Sequence, residues 1–373
     1  MSRTLPFLSA LLLTVACGDK AESNGRTDAG DDGTHEGDGD GDGTGSDAGT
    51  TPGDDAGSGP HAMGTSRYFP SGSFFVQDVY DTPKAQNSDA TIKALRAHGG
   101  WGNKDVFQID FSLDVLSADQ STPKKMFTPR TEANGYDDEF YTPDCDLNSV
   151  PVPASGNVEG EDGYVCMSDG DCHLLVFQPD THALYELWRA DIQGTNFISG
   201  CQARWDTSKP VTNAGRGLQC SSADAAGFPI SPLLFTADEV KAGKIEHAIR
   251  FILPNDRVRE GFVPPATHGT RTTGGAGSPY YGVHLRLRRD YPLEQLPSEG
   301  ARTVARALQR FGMYHADGGQ IALTAQSDRH TTAKWDGLLE PRDLAALKVE
   351  DFEVIDHGAP IELTFDCGRT QLK

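Results

Sequence analysis

Apolar and polar residues alternate through several short runs of this chain, and a helical period surfaces in only a few. In KDVFQIDFSLDVL (104–116), Phe107, Ile109, Phe111 and Leu113 fall on one side and Val106, Gln108, Asp110 and Ser112 on the other, which predicts a half-buried strand. CHLLVFQPDTHALYELWRAD (172–191) reads as a hairpin about the turn Pro179-Asp180-Thr181-His182. On its second strand Leu184, Glu186, Trp188 and Ala190 share one face, and Tyr185, Leu187, Arg189 and Asp191 the other. The run 244–253 turns Ile245, His247, Ile249, Phe251 and Leu253 one way and Glu246, Ala248 and Arg250 the other. In YYGVHLRLRRDY (280–291), Val283, Leu285 and Leu287 face the core, opposite His284, Arg286 and Arg288.

Helical signals are fewer. Residues 88–100 carry a start at Ser88 or Asp89, apolar Ile92 and Leu95, and a Gly-Gly stop. Residues 299–314 give the strongest stripe, through Val304, Leu308 and Phe311. TADEVKAG (236–243) predicts a short helix capped by Thr236 with Glu239 as capping-box partner, a structural task for that glutamate. A further short helix is expected at 343–347, a strand-like entry at 67–83, and a turn holding Asp317 before a strand within 315–328. The stretch 117–163, rich in Pro, Gly, Asn and Asp, predicts long loops pinned by Cys145. With no strand–helix alternation to suggest a parallel sheet, the pattern predicts a mostly β fold: a β-sandwich or jelly-roll-like core with a few short helices.

Composition divides the chain. Residues 1–16 resemble a lipoprotein signal peptide, with Arg3 before the apolar run FLSALLLTVA and Cys17 as the residue to be lipidated, although Thr14 stands where leucine is usual. Residues 17–66 are acidic, rich in Gly and Asp, and nearly free of large apolar side chains, so they are expected to stay disordered as a tether. Much of the net charge of −21 sits there. Asp38, Asp40 and Asp42 mimic the start of a calcium loop, but Gly49 stands where a bidentate glutamate is required. Residues 67–373 form the expected globular domain. Its six cysteines, Cys145, Cys166, Cys172, Cys201, Cys220 and Cys367, predict three disulfides in an exported protein. Proximity in sequence suggests Cys166–Cys172 and Cys201–Cys220, leaving Cys145–Cys367.

The chemistry is narrowed mainly by exclusion. There is no CxxC, no HExxH, no GxSxG and no glycine-rich phosphate loop, so no metal or other cofactor is implied. An acidic domain without a basic stripe makes a poor partner for nucleic acid. Carboxylates suit better: Asp224, Asp317, Glu186 and Asp191 are the residue types that glycoside hydrolysis needs, and Trp188 and Tyr281 are surfaces for sugar rings. His247 or His268, with Arg286 and Arg250, would instead suit a lyase acting on a uronate polymer. Each has a plain structural alternative. Asp224 caps a turn, His247 is a core histidine, Glu186 is a charge on a solvated face, and the arginines are a balanced basic face.

The segments LYELWRA, SADAAGFPI, DEVKAGKIEHAIRF, VPPATHG, HLRLR and RFGMYHADGG, in this order, resemble a group of secreted proteins of soil bacteria, with expected forms such as SADAAGLPI, AGEIRHALRF, WPATH and YGMILADNG. The resemblance covers about 170–356. It implies importance for Glu186, Asp224, Glu239, His247, Arg250, His268, Arg286 and Asp317, and it implies no particular reaction. The reading that follows is a monomeric, lipid-anchored envelope protein, with the outer membrane favoured because Gly18 follows Cys17. It is expected to act on a polysaccharide or oligosaccharide, as a glycosidase before a lyase. The contrasting reading is a non-catalytic glycan-binding or envelope structural protein, touching the membrane only through its anchor.

Overall fold

Alternation builds two principal sheets. The computed structural model describes residues 63–168 and 170–373, so the signal peptide, Cys17 and nearly all of the acidic tether lie outside the described residues. The larger sheet has six strands in the order Ile109–Leu113, Leu323–Gln326, Ile249–Leu253, Met313–Gly318, His284–Leu287 and Phe352–Ile355. The smaller has four, in the order Cys201–Asp206, Ala183–Trp188, Leu174–Gln178 and Val115–Ser117. The expected hairpin is present: Leu174–Gln178 pairs antiparallel with Ala183–Trp188 across the turn at 179–182.

One core joins the sheets. Leu175, Leu184, Ala203 and Trp205 of the smaller sheet are buried in the same cluster as Ile249, Phe251, Leu285 and Met313 of the larger. On its other face the smaller sheet buries Leu174, Val176, Tyr185 and Leu187 against Phe127, Val150 and Phe197. Strand Leu174–Gln178 is thus covered on both sides, which explains its unbroken apolar run. The protein is mostly strand, with four α-helices among the described residues. Helix Glu299–Arg310, capped by Ser298 accepting from the Ala301 amide at 3.1 Å, buries Val304 and Leu308.

Several local expectations needed correction. Strand 249–253 starts later than its alternation, and 343–347 is a series of turns with no helix. The 67–83 entry holds a 3-10 turn, Phe74–Val76, and no strand. Asp317 lies on strand Met313–Gly318, outside any turn. Parallel pairs are also present: Ile249–Leu253 with Met313–Gly318, and Ile109–Leu113 with Leu323–Gln326. Their partners lie so far apart in sequence that local alternation carries no trace of them.

The disulfides are Cys145–Cys201, Cys166–Cys172 and Cys220–Cys367. The expected Cys201–Cys220 and Cys145–Cys367 pairs are therefore wrong. The Asp146 amide binds the Gln202 carbonyl at 2.7 Å and lays Cys145 beside Cys201. The C-terminal strap returns to Gln219, whose Oε1 accepts from the Thr364 amide at 2.8 Å and brings Cys367 to Cys220. Three disulfides indicate folding in an oxidising compartment, periplasmic or extracellular. Among the described residues no helix is long and apolar enough to cross a membrane.

Candidate functional site

The SADAAG turn is built by backbone demands. Ser222 Oγ accepts from the Asp224 amide at 2.9 Å and donates to the Phe228 carbonyl at 2.6 Å, closing the turn on itself. Gly227 has φ of +78°, and a Cβ there would meet Thr267 Oγ1 at 2.2 Å, so only glycine fits. Thr267 and His268 of the PATH segment donate their amides to the Ala226 carbonyl at 3.0 and 3.3 Å, and Ala226 donates its own to Ala316 at 2.9 Å. Three distant segments thereby meet.

They meet at the wall of a cavity of about 750 Å³, lined among others by Asp171, Trp188, Asp224, His268 and Asp317. Arg250, from strand Ile249–Leu253, grips Asp224 with two bonds, Nε to Oδ2 at 3.1 Å and Nη2 to Oδ1 at 2.8 Å. The same Nη2 reaches Asp317 Oδ2 at 3.4 Å. Asp224 is fully buried, whereas the Asp317 side chain remains 23% exposed to the cavity. Burial, then the neighbouring Asp224 charge, pushes the Asp317 carboxyl well above the ordinary range, against the pull of Arg250. Its carboxyl lies within hydrogen-bonding reach of Asp224. Of the two, Asp317 is the member on which burial and the adjacent charge favour a proton.

His268 Nδ1 meets the Ala225 carbonyl at 3.0 Å, so this nitrogen carries the hydrogen and Nε2 keeps its lone pair. Burial pulls its pKa down, which keeps the ring neutral. Behind the turn, His173 Nδ1 faces Glu159 Oε2 at 2.7 Å and Nε2 faces the Ala223 carbonyl at 3.1 Å. Burial opposes charge on His173, but Glu159 overrides it and raises the pKa to about 9.

Asp171 is the acid that pattern reading missed. It lies in the loop closed by Cys166–Cys172 and accepts from Trp188 Nε1 at 2.8 Å, while its carbonyl takes the Arg189 amide at 2.7 Å. Its charge also acts on Asp317. All three disulfides adjoin the cavity: Cys201 lines it, and Asp144, Asp171, Asp224 and Phe365 sit within four residues of Cys145, Cys172, Cys220 and Cys367. In sequence Asp171 resembles any acid of a polar loop. Its position beside a cysteine was the one available signal.

The remaining predicted residues lie elsewhere. Glu186 is fully buried and accepts four bonds, from Trp205 Nε1 at 2.9 Å, the Ile230 and Ser231 amides at 3.0 and 2.8 Å, and Ser231 Oγ at 2.8 Å, so it pins a loop to the smaller sheet. Arg286 is buried and spent on Glu353 and the carbonyls of Val79, Tyr80 and Thr82, so it offers no charge to an anionic ligand. Asp191 accepts from the Cys166 amide at 3.1 Å and from Gln193 at 2.9 Å, tying down the disulfide loop. His247 bonds the Ala248 carbonyl at 2.8 Å and Glu239 at 3.2 Å beside a separate cavity of about 260 Å³. Glu239 also completes the expected capping box with Thr236. Tyr281 is buried with its hydroxyl on Thr270 Oγ1 at 2.9 Å, and is no platform for a sugar. No family model, curated protein or solved structure matches this chain.

Proposed function

We propose that the protein is a glycoside hydrolase working in the 750 Å³ cavity, with Asp317 as general acid and Asp171 as its counterpart. The observation that carries this reading is the cavity-facing Asp317, its carboxyl pushed well above the ordinary range beside the Arg250-bound Asp224. Glycosidase carboxyls stand about 5–10 Å apart, so that a sugar bond and a water fit between them. Asp224 and Asp317 are too close for that and act as one unit. Burial and Asp224 favour the proton on Asp317 against the pull of Arg250, and a second carboxylate must come from elsewhere in the cavity. Asp171, steadied by Trp188 and a disulfide, supplies it.

In the reaction, Asp317 gives its proton to the glycosidic oxygen as the bond from the anomeric carbon breaks. Asp171 takes a proton from the attacking water, whose oxygen joins the anomeric carbon. Trp188 and Tyr141 offer faces for the sugar rings. A lyase is the second reading, favoured by the neutral His268 Nε2 as a base. Five aspartates against Arg271 at the cavity wall oppose it, because a uronate needs cations. Cys17 lipidation and an outer-membrane position belong to this proposal as the way the enzyme is held near its substrate.

The purified protein, incubated with neutral, amine-bearing and uronate polysaccharides, is expected to release reducing ends without the absorbance of unsaturated products. Unsaturated products would replace the hydrolase by the lyase. No product by either assay and no oligosaccharide by mass spectrometry would leave a binding protein.

A further inference from the structure

The walls of this cavity are chemically one-sided. Asp138, Asp144 and Asp171 line it in addition to the Asp224–Asp317 pair. Asp224 is neutralised by Arg250, which also reaches Asp317 at 3.4 Å. The other three acids face the cavity with a single lining cation, Arg271, whose guanidinium lies 5.1 Å from the Phe365 ring. A row of acids alone marks no site, but His268 adds an independent sign. It is only 8% exposed, its Nδ1 is bound to a carbonyl, and its Nε2 has no partner among the described residues while the ring lines the cavity. An acceptor so placed is open to a donor from a ligand in the cavity. Carboxylates and an imidazole lone pair are all acceptors. Tyr141 and Trp188 add apolar faces beside them.

We propose that the cavity selects glycans bearing free amines, an ammonium-substituted sugar polymer such as de-N-acetylated amino-sugar chains, with Asp138, Asp171 and His268 receiving the ammonium groups. An ammonium carries three donors and a charge, and meets acceptors at Asp138, Asp171 and His268 here. An N-acetyl group would bring one donor and no charge, and a uronate would bring a charge of the wrong sign. The inference rests on the glycosidase reading for the site but concerns recognition, so it is measured by binding.

The test is calorimetric titration of the purified protein with a β-1,4-linked glucosamine tetramer, its fully N-acetylated counterpart and a galacturonate trimer. The glucosamine tetramer is expected to bind at least about ten-fold more tightly than either of the others, with affinity falling as salt rises. The acidic tether is a second possible seat for a polycation, so the paired variant Asp138→Asn/Asp171→Asn is titrated as well. It is expected to lose most of the preference; His268→Gln, which keeps an acceptor, should lose less than His268→Leu. Preference unchanged in the paired variant would assign the binding to the tether and overturn the proposal. Equal or tighter binding of the acetylated or uronate oligomer, or no binding of any, would do the same. Selective binding without turnover would keep this inference and remove the hydrolase.

Discussion

Buried charges away from the cavity and at its wall use the same residue types in opposite ways in this protein. Around Glu186 and Arg286 every charge is saturated: four donors converge on Glu186, and Arg286 meets Glu353 and three carbonyls. Around Asp317 the satisfaction is only partial: its Oδ1 accepts from the Gly318 amide at 2.7 Å, but its Oδ2 has only a 3.4 Å contact with Arg250. One arginine serves two acids: Asp224 takes the bidentate grip, and Asp317 keeps one long contact and a face to the cavity. A saturated buried charge fixes a loop. An incompletely satisfied one beside open space is poised to exchange a proton.

The largest effect should fall on the incomplete cluster. Asp317→Asn removes the acid and keeps the shape, so turnover is expected to fall by about 10²–10⁴-fold while the melting temperature shifts little. Steady-state rates alongside thermal unfolding decide it. A variant that unfolds would put Asp317 with the saturated charges, and the contrast would collapse.

Next come the saturated charges. Glu186→Ala strands the Trp205, Ile230 and Ser231 donors in the core and should cost about 3–5 kcal/mol of stability. Chemical denaturation gives the number. The fraction that stays folded should retain ordinary turnover, because Glu186 does not line the cavity. Lost turnover in a fully folded variant would contradict the assignment.

Sequence reading could not separate these charges, and the reason is physical. Glu186 and Asp224 both look like acids near apolar runs. What saturates Glu186 are donors 44 and 45 positions away, which no local window holds. Asp224 and His268 were legible because the SADAAG and PATH segments make rigid local demands, of which Gly227 is the clearest. The hairpin, the longer helices and the Thr236–Glu239 box were legible for the same reason, since each is closed by neighbours in sequence. Asp171, the parallel pairings and two of the three disulfide partners depend on which distant segments fold together.

The disulfides offer another lever. Cys220–Cys367 closes a separation of 147 residues and Cys166–Cys172 one of 6, so chain entropy predicts losses of about 5 and roughly 2 kcal/mol when each pair is replaced by serine. Function should run the other way. The short loop carries Asp171, so its removal should lower turnover more per unit of lost stability. Equal ratios of lost activity to lost stability in the two double variants would deny Asp171 a working role.

The smallest effect sharpens the contrast, because His173 shares features of both. It is a buried, paired charge, yet it also holds the carbonyl of Ala223 beside Asp224. Its pKa is raised from 6.5 to about 9, and that of Glu159 is lowered from 4.5 to about 2. A raised histidine contributes stability that is complete below about pH 6.5 and fades as the pH climbs through 9. A depressed carboxylate contributes above about pH 4.5 and fades as the pH falls through 2. The pair therefore stabilises most between those limits, and the alkaline loss should be on the order of 3 kcal/mol. Denaturation midpoints across pH 6–9 should slope downward in the native protein and flatten in His173→Gln. Asp317 predicts a separate decline, of kcat/KM as rising pH removes its proton. If His173→Gln flattens the stability curve and leaves the form of the rate profile intact, the ion pair supports the turn and the cavity acid titrates independently. If both curves change together, His173 and Asp317 titrate as one system, and the incomplete cluster extends through the turn to the Glu159 side of the sheet.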